Sequence, residues 1–146
     1  MLYKTIMANA NFRVLQNEST AIPYNGEKIH IAGIDDAVLG YPQWGPTFRN
    51  VPEQGYCLFL CHAPDLADEA VHYPASIQFS GHSHGGQVKI PLWGPLITPA
   101  YAEKYVGGLY RIDRMTLYVN KGLGTTRLPL RFLSRPELAI FTLQHP

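Results

Sequence analysis

The chain has 146 residues and a mass of 16.3 kDa, with 46% apolar and 16% charged residues and a net charge of +1. That length suits one domain with its own core, and the apolar share excludes a disordered chain. The near-neutral charge excludes a general electrostatic grip on nucleic acid, which needs a basic face.

The chain opens with apolar residues at Leu2, Ile6, Met7 and Ala10, a helical spacing without an N-cap or a first turn. The helix is therefore expected to begin upstream of Met1. "NFRVL" (11–15) and "KIHIAGI" (28–34) alternate and predict strands, with "YNGE" as the turn between them. Residues 40–55 are punctuated by Gly and Pro and predict a long loop. "YCLFLCH" (56–62) predicts a buried strand. "PDLADEAVH" (64–72) predicts a short helix with Asp65 as its N-cap. "ASIQFSGH" (75–82) is a further strand that ends in histidine. "QVKIP", "GLYRID", "TLYVNKG" and "LAIFTLQ" are mostly strands joined by turns.

Cys57 and Cys61 are the only cysteines. Four residues along a strand separate their Cα atoms by roughly 13 Å, beyond the reach of a disulfide, so two reduced, buried thiols are expected. No apolar run approaches the about 18 residues of a membrane helix, and no signal-peptide pattern is present. Lys104, Arg111, Arg114, Lys121, Arg127, Arg131 and Arg135 crowd the C-terminal third. A solvated surface is the preferred reading, and an anion-facing wall is the sharper one.

Three of the six histidines, His62, His82 and His84, fall at the C-terminal ends of predicted strands. Parallel neighbours bring such ends together, and α/β sheets build sites there. The stretch "GHSHGGQ" (81–87) puts His82 and His84 on one side of the chain if its backbone stays extended, with Cα atoms about 7 Å apart. Two ions in a phosphoesterase lie about 3.5–4 Å apart, so one imidazole per ion is within reach. Gly81, Gly85 and Gly86 permit a sharp turn and a close approach. His30, His72 and His145 are read as ordinary surface or hydrogen-bonded residues. Cupins share the H-x-H spacing, but the places of their glutamate ligand hold Gln87 and Val88. A mononuclear zinc hydrolase using His62, His82, His84 and water stays open as an alternative.

"LCHAPD", "FSGHSHGGQVKIP" and "LYVNKGLGTTRLPLRFLSRPELAIFTL" resemble the C-terminal half of a bacterial calcineurin-like metallophosphoesterase. The branch is the one containing Tat-exported phosphodiesterases and UDP-2,3-diacylglucosamine pyrophosphatases of lipid A synthesis, and the resemblance runs from "VLQNES" and "IAGIDD" to the last strand. It implies an α/β fold, strand-rich, amounting to roughly half of a four-layer α-β-β-α sandwich. Residues 1–146 would be one domain, the C-terminal part of a metallophosphoesterase domain. It implies that His62 and His82 bind the second metal and that His84 completes the first.

The family's Asp-x-His, Gly-Asp-x-x-Asp and Gly-Asn-His segments do not occur in this sequence. With them go the bridging aspartate and the general acid, so the acid is expected on a segment preceding this chain. Asp35 and Asp36 are read as a turn, and neither they nor Asp65 are assigned to metal. The expected function is metal-dependent hydrolysis of a phosphodiester or pyrophosphate bond, of a lipid-linked or nucleotide-sugar substrate, with this chain an inactive fragment. The rival is a non-catalytic metal- or ligand-binding module. The complete enzyme would hold two divalent ions (Mn, Zn, Fe or similar), and this chain at most one. The expected partner is a phosphate-ester substrate. A membrane surface near "PLWGPLITPAY", with Arg127 and Arg131 facing anionic headgroups, and self-association through a bare sheet face are further candidates. A nucleic-acid polymer is not expected.

Overall fold

The computed structural model describes residues 2–126 and 128–144. Arg127 and His145 lie outside the described residues. The chain is mixed α/β and strand-rich, built on a six-stranded sheet in the order β1-β2-β3-β4-β8-β7. These strands are β1 (Glu18–Tyr24), β2 (Glu27–Gly33), β3 (Tyr56–Leu60), β4 (Ile77–Ser80), β7 (Gly108–Ile112) and β8 (Met115–Val119). β2, β3, β4 and β8 run parallel to one another, and an antiparallel hairpin closes each edge. A small second ladder pairs β5 (Lys89–Ile90) with β6 (Gly94–Pro95). Among the described residues, no helix is long and apolar enough to cross a membrane.

The opening helix is α1 (Leu2–Asn9). Asn11 follows it in the left-handed region (φ 60), where asparagine commonly stops a helix, and the Phe12 N–H bonds back to the Met7 carbonyl. This stop corrects the expectation of a strand at 11–15. Residues 12–15 instead cross to the sheet, and Leu15 lies so close to Gly33 that a Cβ there would come within 2.6 Å of the Leu15 Cβ. The strand is "ESTAIPY", whose polar residues and Pro23 hid it. Proline is tolerated because β1 is an edge strand. The turn was legible: Asn25 (φ 49) and Gly26 (φ 83) supply the two positive φ values of a type I′ hairpin.

Alternation along the strands separates two faces. Ala32, Cys57, Phe59, Gln78, Met115, Leu117 and Val119 are buried on one of them. Residues 40–55, expected as a long loop, contain α2 (Trp44–Phe48), which covers this face. Phe48 meets Phe59 at a tilt, 5.0 Å between ring centroids, and Trp44 stacks on Tyr73 at 5.0 Å. α3 (Ala67–Ala70), entered through a 3-10 turn at Pro64–Leu66, adds the buried Ala67 and Ala70. Cys57 and Cys61 are free and buried. Burial pushes their thiols up to about 11 and about 12.

The opposite face is apolar and poorly covered. Leu58, Leu60, Ile77, Phe79 and Tyr118 lie along it, and Leu60 and Tyr56 keep 44% and 45% of their surface exposed. Residues 138–144 were expected as a strand but form none. β7 already occupies the free edge of β8. The segment instead lays Phe141 edge-on against Phe79 and Tyr118, at 4.9 and 4.8 Å.

Candidate functional site

His62 and His82 follow the C-terminal ends of β3 and β4, which are parallel neighbours. Their rings meet at 4.8 Å between centroids. The junction is tied by two backbone bonds, from the Cys61 N–H to the Phe79 carbonyl and from the Gly81 N–H to the His62 carbonyl, both 3.1 Å. Strand register thus places two imidazoles together that are distant in sequence.

The motif backbone is not extended, which corrects the sequence reading. His82 (φ 65) and His84 (φ 51) are left-handed, and Ser83 between them is right-handed (φ −65, ψ −24). Left-handed non-glycine residues cost about 1–3 kcal/mol each and persist only where surrounding structure holds them. Here the holding groups are visible. Ser83 Oγ donates to the Val106 carbonyl at 2.6 Å and accepts from the Gly85 N–H at 3.1 Å. The His84 carbonyl accepts from Ser134 Oγ at 2.9 Å and from Arg131 at 3.1 Å.

The two motif imidazoles have different partners. His82 Nε2 lies 2.9 Å from the Ala100 carbonyl. His84 bonds to the Gly124 backbone, which favours its protonated form. Burial, the Arg131 guanidinium and the His82 charge together outweigh that bond and hold His84 below the ordinary imidazole range. His62 is held low as well, by the protein packed around part of its ring and then by the charges of His82 and His84; Asp36 opposes the shift. His62 and His84 are therefore favoured in the neutral form that can donate to a metal.

Asp35 and Asp36 form the expected turn. Asp35 accepts from the N–H groups of Asp36 and Tyr41, and Asp36 Oδ1 accepts from Val38 and Leu39 at 2.8 and 2.6 Å. The Gln16 side chain and the Tyr41 N–H keep the Asp35 carboxyl below its usual range. Asp65 departs from its expected role. Ala63 occupies the N-cap position, and the Asp65 carboxylate instead accepts from the N–H groups of Glu103, Lys104 and Tyr105. Arg131 departs too. Its guanidinium is spent on the carbonyls of His84, Lys121, Gly122, Gly124 and Ser134, so it does not face an anionic surface. Gln87 was not recognised as structural from the sequence. Its amide donates to the Thr126 and Leu128 carbonyls and accepts from the Thr126 N–H. Only its place directly after two glycines could have signalled that clamp.

A cavity of about 410 Å³ opens beside His82 and His84, with Gln87 on its polar side and Leu96, Ile97 and Leu128 on its apolar side. A second cavity, about 360 Å³, lies at the other ends of the strands between Arg111, Arg114 and Glu53. Its arginines are bonded to Asp113, Thr116 and Tyr73, and it holds no imidazole. His82 and His84 lie at the opposite ends of the strands, beside the first cavity.

No family model matches the chain, and no solved structure matches it significantly. Curated proteins do. Over 98% of its length the chain is 42% identical to an uncharacterized metallophosphoesterase, YkuE, of Bacillus subtilis, covering 50% of that protein. It is 30% identical to the phosphodiesterase YaeI of Escherichia coli, over 94% of this chain and 49% of that one. It is 31% identical to the UDP-2,3-diacylglucosamine pyrophosphatase LpxG of Chlamydia muridarum, over 93% and 43%.

The chain belongs to the metallophosphoesterase family. It spans about half the length of the curated relatives it matches. For a metallophosphoesterase the donor set is incomplete: among the described residues, no group of three or more His, Cys, Asp or Glu side chains is arranged to hold a metal ion. The donor chemistry suits imidazole-binding divalent ions such as zinc, copper, nickel or iron. The site lacks the carboxylate that would draw two dications together, so a dinuclear centre does not fit the residues present.

Proposed function

We propose that this chain is the C-terminal part of a metallophosphoesterase domain whose complete form hydrolyses a phosphodiester or pyrophosphate bond, and that the chain alone is inactive. The observation that carries the reading is the meeting of the His62 and His82 rings at the ends of β3 and β4. In the complete domain, with carboxylates supplied from outside this chain, His62 and His82 are proposed as donors to one divalent ion and His84 as a donor to the other. Divalent ions in such sites supply charge neutralisation at phosphorus and activation of water. The chain's own contribution is to present imidazoles at the ends of β3 and β4 and to wall one side of the cleft. The missing general acid alone is worth about 10²–10⁴-fold.

The partly open apolar sheet face around Tyr56 and Leu60 supports the partial-domain reading, because a monomeric domain rarely leaves such a face open. The cavity supports a substrate with an apolar portion: Leu96, Ile97 and Leu128 stand beside the histidines. A lipid-linked phosphoester fits this pairing of apolar wall and imidazoles. The exposed Leu92 and Trp93, on the β5–β6 hairpin that leads to this wall, suit contact with a membrane surface.

Calorimetric titration of the purified chain with zinc is expected to show at most one site, lost in His82→Ala. Turnover of bis-p-nitrophenyl phosphate with added manganese or zinc is expected to stay near background. Strong hydrolysis by this chain alone, abolished by His84→Ala, would replace the reading with a self-sufficient mononuclear hydrolase.

A further inference from the structure

The segment around Ala100 has little regular structure, yet it approaches His82 Nε2 with a carbonyl at 2.9 Å. Something must hold it there. Asp65 does so from the 3-10 turn that begins two residues after His62. Its Oδ2 accepts from the Glu103 N–H at 2.8 Å and its Oδ1 from the Tyr105 N–H at 3.0 Å, with the Lys104 N–H at 3.2 Å from both. Its own N–H donates to the Tyr101 carbonyl at 3.0 Å, so the segment is bonded on both sides of Ala102. Ala102 itself is fully buried and donates to the Pro99 carbonyl at 3.1 Å. The fixed stretch thus brackets Ala100.

A carbonyl can only accept, so a hydrogen bond at this distance requires the proton on His82 Nε2. The other ring nitrogen, Nδ1, is then the lone pair left for an ion. Which nitrogen of a ligating histidine binds is commonly set in this way, by a partner on the opposite nitrogen.

We propose that Asp65 is a positioning residue: by gathering the N–H groups of residues 103–105 it holds the Ala100 carbonyl against His82, fixing the Nε2–H tautomer and presenting Nδ1 as the donor atom. The metal half of this statement rests on the proposed function, and the tautomer half does not. One short turn thereby serves both strand ends, because the segment that leaves His62 also orients His82. Asp68 lies beside this clasp without forming it. Among the described residues its carboxylate bonds the Lys104 Nζ and Tyr105 hydroxyl side-chain groups and no backbone N–H.

The test uses the full chain labelled with 15N-histidine, without metal, at a pH where imidazoles are neutral. The wild type is expected to show a directly bonded proton on His82 Nε2, protected from exchange by its carbonyl partner. In Asp65→Asn, which keeps one acceptor oxygen but sets an NH2 against the backbone donors, that proton should exchange at least about tenfold faster. Asp68→Asn should leave it unchanged. Asp65→Ala serves as the harsher variant, with the amide spectrum reporting whether the fold persists. Zinc affinity should fall by about 10–100-fold in Asp65→Asn, the usual effect of losing an outer partner. A proton on His82 Nδ1 in the wild type, or equal protection in wild type and Asp65→Asn, overturns the proposal. A lost Nε2 proton in a chain that never binds zinc supports the positioning role and sinks the metal reading instead.

Discussion

Arg131 and His84 are 47 residues apart in sequence, and the guanidinium of the first donates to the carbonyl of the second at 3.1 Å. The same fork reaches carbonyls of Lys121, Gly122, Gly124 and Ser134. One planar cation therefore ties the histidine loop to the strip that follows β8. Lysine carries the charge but not the fork, so Arg131→Lys is expected to behave like Arg131→Ala. Both should lower the melting temperature, at about 1.5–3 kcal/mol for each charge-assisted bond lost without a substitute. Thermal melts of the two variants decide it, and a lysine variant as stable as the wild type contradicts the geometric argument.

Gly86 takes φ +74, and a Cβ there would stand 2.2 Å from the Pro95 Cβ. Gly86→Ala is expected to break the packing of the β5–β6 ladder on the motif, at about 1–3 kcal/mol for the backbone strain before the clash is counted. Gly26→Ala provides the comparison. It too has positive φ, but no atom lies within 4 Å, so only the strain remains. Urea denaturation of both should rank Gly86→Ala as clearly the more damaging.

Cys57 and Cys61 have thiols raised to about 11 and about 12. The unfolded chain ionises its thiols near the ordinary value of 9.0, ahead of the folded one. Between those values the folded state holds more protons, so stability falls as pH rises above about 9 and is unaffected by these groups below it. Native protein should react negligibly with a thiol reagent at pH 8, and denatured, unreduced protein should titrate two groups. A count of zero would require a disulfide that the free thiols of this structure exclude.

Leu60 stands on the open sheet face with 44% of its surface exposed, whereas Phe59 beside it is fully buried. Phe59→Ala should cost about 3–5 kcal/mol. Leu60→Glu should cost far less while reducing any concentration-dependent self-association seen by sedimentation. Equal destabilisation by both would mean that the two faces are not distinguished as described.

The sequence by itself determined the local chemistry and much of the local geometry. Apolar alternation located β2, β3, β4, β7 and β8, the Asn25–Gly26 pair located a hairpin turn, and strand-end positions pointed to His62 and His82, whose rings meet, whereas His84 falls in the 3-10 turn beyond β4. These signals are legible because each depends on neighbours within a few residues. Tertiary structure decided the rest. "ESTAIPY" is a strand only because β2 offers it an edge, and "LAIFTLQ" forms none but packs Phe141 on Phe79 and Tyr118. The left-handed backbone at His82 and His84 exists because Val106, Ser134 and Arg131 hold it from elsewhere in the chain. Asp65 has the composition of a helix cap, yet its carboxylate found three donors about forty residues downstream. A hydrogen-bonding side chain shows in the sequence what it can bond, and only the packed chain settles which distant backbone groups come within 3 Å of it.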